Sequence, residues 1–87
     1  MPRISTFYGI TIAMYFDESH HGVAHFHAAY AEHRASFSLD GQVIAGRLPR
    51  RAAALVAEWA QLHRDELVMN WKRARQGEPL VGVAPLP

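Results

Sequence analysis

AHFHAAYAEHRASFSLDGQ, residues 24 to 42, is the stretch whose reading decides the fold. Phe26, Ala28 and Tyr30 fall on one side of a two-residue repeat and His25, His27 and Ala29 on the other, as in a strand with one buried and one open face. After a polar break at residues 31 to 33 the repeat resumes, with Ala35, Phe37 and Leu39 alternating against Arg34, Ser36 and Ser38. Asp40-Gly41 then signals a hairpin, because both residues tolerate positive φ. Residues 24–31 and 34–39 therefore read as paired strands, and residues 42–47 as the strand after the turn.

Working outward, Tyr8, Ile10, Ile12, Met14 and Phe16 alternate with Phe7, Gly9, Thr11, Ala13 and Tyr15, which predicts a single strand over residues 7–16. DESHHG, residues 17 to 22, reads as a connection. On the other side, Leu48-Pro49 opens a helix, since proline lacks an N–H that the first turn does not need. No Gly or Pro follows until Gly77, and Ala52, Val56, Trp59, His63, Leu67, Trp71 and Ala74 recur every three or four residues. One helix over residues 49–76 is expected, or two with a bend near residues 63 to 65, ending at Gly77 with Lys72, Arg73 and Arg75 favourably near the negative end of the dipole. EPLVGVAPLP, residues 78 to 87, is expected to run extended along the sheet edge or onto a partner.

The expectation is an α+β domain spanning residues 1–87: a four-stranded antiparallel meander (residues 7–47), a long helix on one sheet face (49–76) and an extended tail (77–87). Its core would hold Ile10, Ile12, Met14, Phe26, Tyr30, Phe37 and one side of the helix with Trp59 and Trp71. The parity of residues 24–31 then sends His25 and His27 to the open face, beside Thr11, Tyr15, Ser36 and Arg34.

Eighty-seven residues leave room for one core, and 49% hydrophobic residues with nine aromatics suffice to build it, which excludes a disordered chain. With no cysteine, disulfide frameworks and thiolate metal sites are excluded, and a reducing cytoplasm is the simplest compartment. MPRISTFYG lacks the pattern of a signal peptide, and no apolar run reaches the length of a membrane span, so no membrane partner is expected. A net charge of +1 does not by itself indicate nucleic-acid binding, so that case rests on where the arginines cluster.

Two clusters could carry chemistry. His25 and His27, two apart on a strand, project to one side, and His21 upstream would complete a three-nitrogen set for a single divalent ion of the zinc or nickel type. Against this stands the plainer reading that neutral imidazoles line a half-exposed sheet face or an interface, in which case no cofactor is required. His20 and His33 read as loop residues and His63 as a packed core-edge residue. Arg47, Arg50 and Arg51 surround Pro49, where a helix start is already positive, so an anion docking there would explain them as well as plain solvation does.

Taken together, FYGI at residues 7–10, MYF at 14–16, H-x-x-x-H-F-H-A at 21–28 with Tyr30, LPRRA at 48–52, EWA at 58–60, LHRDEL at 62–67, NW at 70–71 and GEPL at 77–80 resemble the bacterial family called domain of unknown function 4160. The chain departs from that pattern at Val23-Ala24, where the family carries two prolines. Members often lie beside a gene for a protein of domain-of-unknown-function family 2442, so the resemblance implies a two-gene, toxin–antitoxin-like unit with a co-encoded small protein as partner.

Two function classes follow. The first is a cytoplasmic protein-binding module that uses Arg34, Arg47, Arg50, Arg51 and Tyr15, with a homodimer as a further arrangement. The second is a small ribonuclease-type toxin, in which His25 and His27 act as acid and base while the arginines hold RNA phosphates.

Overall fold

The computed structural model describes residues 2–17 and 19–87, without the side chains of Ser19 and His21. Five strands form one antiparallel sheet in sequence order: β1 (Arg3–Phe7), β2 (Ile10–Ala13), β3 (His25–Tyr30), β4 (His33–Ser38) and β5 (Val43–Arg47). Two helices follow, α1 (Arg50–Leu62) and α2 (Arg64–Arg75). Among the described residues no helix is long and apolar enough to cross a membrane.

The α+β class and the antiparallel meander are as expected, but the sheet has five strands where four were anticipated. The single strand over residues 7–16 is instead two strands folded back at Tyr8-Gly9, with Phe7 opposite Ile10. Tyr8 and Gly9 both have positive φ (49° and 77°), the two-residue turn whose twist matches that of the flanking strands. The two-residue turn reverses the parity of the alternation: Phe7 and Ile10, three positions apart and opposite one another, are both buried with Ile12 and Met14, while Tyr8, expected on the Ile10 face, is exposed.

Two further turns behave as read. Residues Asp40 and Gly41 sit in the β4–β5 hairpin, where the Gly41 amide donates to the Ser38 carbonyl and the Ser38 amide to that of Gln42. Ala31-Glu32 joins β3 to β4, with Ala31 at a φ of 52°, and the Arg34 guanidinium donates to the Ala31 and His33 carbonyls.

The long helix is interrupted at His63 (φ −118°, ψ 27°). The chain restarts there as a new helix: His63 Nδ1 lies 2.6 Å from Glu66 Oε1, and Asp65 and Glu66 occupy the first turn of α2, where carboxylates suit the dipole. At the far end, Glu78 N–H donates to Arg73 O and Gly77 N–H to Ala74 O, a glycine-terminated cap.

The core lies between the sheet and the helices. Phe26 and Phe37, cross-strand partners, stack at 5.5 Å, and Trp59 meets Phe26 edge-on at 5.6 Å and Phe7 at 5.4 Å. Trp59 is fully enclosed and Trp71 nearly so, as the helical stripe predicts, while Tyr30 is half-buried at the margin. The tail is seated on its own chain: Val83 N–H donates to Ile4 O on the β1 edge, and Val83 and Leu86 are buried. Trp59 Nε1 donates to Ala84 O, and Asn70 both donates to Val81 O and accepts from Val81 N–H.

Candidate functional site

The sheet face away from the Phe26–Trp59 core carries a cleft of about 360 Å³. Thr11, Ala13, Ala29, Ser36 and Ala45 make its floor, so the strands present little beyond Cβ atoms there. Tyr15 and His27 form one wall, stacked face to face at 4.5 Å with ring planes 4° apart, and Arg34 stands at the margin. The expected grouping of Thr11, Tyr15, His27, Arg34 and Ser36 therefore lines one hollow.

His25 does not join them in solvent. It was expected on the open face, but as the first residue of β3 it lies where α2 and the turn at Ser19–Gly22 close over the sheet end. Trp71 packs on its ring at 5.1 Å, His20 meets it edge-on at 4.8 Å, and no part of it is exposed. Strand parity correctly puts it on the same side as His27, whose ring is 5.1 Å away, but parity says nothing about a helix reaching past the strand end. As the structure stands, no surface of the His25 ring is open to a polymeric substrate.

Asp17, which sequence reasoning left in a connection, completes this corner. Its Oδ1 is 3.4 Å from His25 Nε2 and its Oδ2 3.6 Å from His27 Nε2. Among the described residues Asp17, His25 and His27 are the cluster whose potential ligand atoms lie within 4.8 Å of one another. His25 Nδ1 is 2.7 Å from Val23 O and His27 Nδ1 3.3 Å from Ser36 Oγ, whereas neither Nε2 has a hydrogen-bond partner among the described residues. Burial lowers the His27 pKa below its ordinary value, the neighbouring His25 lowers it further, and Asp17 opposes both. The third ligand expected from sequence, His21, has a side chain outside the described residues. His20 and His63 are half-buried, and His63 packs on Trp59 at 5.8 Å, as expected of a core-edge residue.

The arginines remain at the surface. Arg34 and Arg47 are register partners on β4 and β5, and Arg50 and Arg51 follow in the first turn of α1, all four exposed. Asp40, in the β4–β5 turn, pairs with Arg64 and with none of these four. Pro49 caps α1 with no side-chain hydrogen bond, leaving the first-turn amides without a protein cap.

A five-stranded meander with a helical layer on one face and a small-residue cleft on the other defines a compact single-sheet α+β protein. The chain belongs to the family described as domain of unknown function (DUF4160), whose model matches residues 9–72 of the 87. That match spans β2 through the Trp71 turn of α2, and so includes the cleft floor and the Asp17–His25–His27 corner. Comparison with curated proteins gives no match, nor does comparison with solved structures.

Proposed function

We propose that this chain is a cytoplasmic binding module that receives a segment of a co-encoded acidic protein in the cleft of its uncovered sheet face. The observation carrying the reading is the cleft itself: a floor of Thr11, Ala13, Ala29, Ser36 and Ala45 lets another backbone approach closely, and the Tyr15–His27 stack offers an aromatic wall. Arg34 and Arg47 at one end of the sheet, continuing into Arg50 and Arg51, supply positive charge for the partner's carboxylates. The outer strand β5 is exposed along its whole length, Val43 and Ile44 included, and adds apolar contact beside the cleft. The partner's origin in a two-gene unit comes from the family resemblance.

The test is calorimetric titration with the product of the adjacent gene. Ala45 is exposed on β5, so Ala45→Trp fills the cleft without disturbing the core and should abolish binding. Arg34→Glu with Arg47→Glu should weaken binding and reduce its salt dependence. Unchanged affinity in Ala45→Trp defeats the proposal. So does loss of cellular RNA on induction of this chain alone, the outcome expected of a ribonuclease.

A further inference from the structure

We propose that Asp17, His25 and His27 bind one borderline divalent cation of the zinc or nickel class. His25 Nδ1 lies 2.7 Å from Val23 O, and a carbonyl only accepts, so Nδ1 carries the hydrogen. In a neutral ring Nε2 is then a bare lone pair, itself enclosed, and at 3.4 Å it faces an oxygen of the partly exposed Asp17 carboxylate. Two acceptors do not face each other at that distance without something positive between them.

A second proton on His25 would be one answer, but a charge-assisted N–H···O bond closes to about 2.7–2.9 Å. The observed gaps are 3.4 Å and, for His27, 3.6 Å, and among the described residues neither Nε2 has a partner at hydrogen-bond geometry. Those separations suit a larger ion. Donors about 2.0–2.1 Å from a tetrahedral cation stand roughly 3.3 Å apart; one Asp17 oxygen lies near that distance from His25 and the other from His27, and with all three donors within 4.8 Å of one another a small inward shift closes the set.

The surroundings fix the donors. Each Nδ1 is engaged, by a backbone carbonyl or by Ser36 Oγ, the outer hydrogen bonding that orients metal-binding imidazoles. Trp71 and His20 pack on the His25 ring and Tyr15 stacks on His27, so neither ring is free to turn away. Two nitrogens and one carboxylate, with no thiolate in the chain, match zinc or nickel better than a hard ion such as magnesium. Three protein donors leave a fourth position for water or a partner's group. The proposed set keeps His25 and His27 from the sequence reading and adds Asp17; the His21 side chain lies outside the described residues.

The experiment uses the full, untagged chain, stripped with a chelator and titrated with zinc or nickel alone. One equivalent per chain is expected. Asp17→Asn and His27→Gln, both at partly exposed positions that should keep the fold, are each expected to weaken uptake at least about tenfold, and His63→Gln to leave it unchanged. Nitrogen NMR gives an independent readout: the stripped protein should show His25 protonated at Nδ1 alone, with the Nε2 resonance moving on zinc addition. Absence of uptake overturns the proposal, as does uptake indifferent to both variants. A His25 ring protonated at both nitrogens and unaffected by zinc would establish a buried imidazolium–carboxylate pair in its place.

Discussion

Asn70 ties the last ten residues to the fold, and replacing it with alanine should release them. The Asn70 amide group donates to Val81 O at 2.8 Å and its carbonyl accepts from Val81 N–H at 2.9 Å, so one side chain takes the place of a pairing strand. The same oxygen accepts from Arg73 at 2.9 Å, which fixes the amide's orientation, and Asn70 is 1% exposed. Asn70→Ala removes both bonds to Val81. At about 0.5–1.5 kcal/mol each, the docked tail loses roughly 1–3 kcal/mol relative to the released one. What remains is the Val83–Ile4 bond, the Trp59–Ala84 bond, the bond the Tyr8 hydroxyl donates to Pro87 O and the burial of Val83 and Leu86, set against the entropy of ordering the segment.

Since each 1.4 kcal/mol is a factor of ten, the Val83 amide should exchange with solvent roughly 5 to 150 times faster in Asn70→Ala, provided it opens with the tail. Amides of β3 and β4 should change far less, and Trp59 fluorescence should shift red as its indole N–H loses Ala84. Hydrogen exchange followed by mass spectrometry or NMR reads both effects. Val83 protection unchanged within a factor of two would refute the anchoring role. An equal loss of protection across the sheet would show that the tail does not open separately from the core.

Further outcomes follow from individual contacts. A Cβ on Gly46, which sits at φ 76°, would run into Arg34 O and lie 2.9 Å from Ala35 Cα, so Gly46→Ala should destabilise by more than about 2 kcal/mol in urea denaturation, and a loss under about 0.5 kcal/mol would contradict this close approach of β4 to β5. Ala31→Gly should stabilise, because relief of positive-φ strain of about 1–2 kcal/mol exceeds the roughly 0.4–1 kcal/mol of added chain entropy; a lower melting temperature would be the wrong sign. For the metal-stripped protein, the depressed folded-state pKa of His27 means that the unfolded chain takes up the proton first. Unfolding free energy should therefore fall as pH drops below about 6.5, and His27→Gln should flatten that slope.

The legible part of this fold is the part written in periodicity. The alternation about Phe26 and Phe37, the Asp40-Gly41 turn, proline at the helix start and glycine at its end each have a local cause that a sequence displays. The Tyr8-Gly9 hairpin is masked because Tyr8 continues the apolar alternation of Ile10, Ile12 and Met14 backwards, although the residue that shares their buried face is Phe7, three positions before Ile10. Gly9 within the run and the apolar Ile4 upstream are the marks it leaves in the sequence. The break at His63 did leave a signal, since Asp65 and Glu66 are residues that suit a helix start.

The candidate site was hidden for a different reason. Periodicity assigns a side chain to a face, but exposure on that face depends on what arrives from distant sequence. His25 is buried because the break at His63 starts a second helix that brings Trp71, forty-six positions later, onto its ring. Asp17 has no periodic context at all; it lies four positions beyond β2, and only the return of the chain into β3, with Ala13 opposite His27, brings it to both imidazoles. The consequence is testable at Trp71, whose ring covers His25 from outside the proposed donor set. Trp71→Leu should cost roughly 1–3 kcal/mol of stability through lost packing and cavity formation, and the freed His25 ring should also weaken zinc uptake, although no ligand has been removed. Uptake that survives Trp71→Leu undiminished, in a protein still folded by circular dichroism, would mean that β3 and the 17–22 connection hold the donors unaided and that α2 serves stability alone.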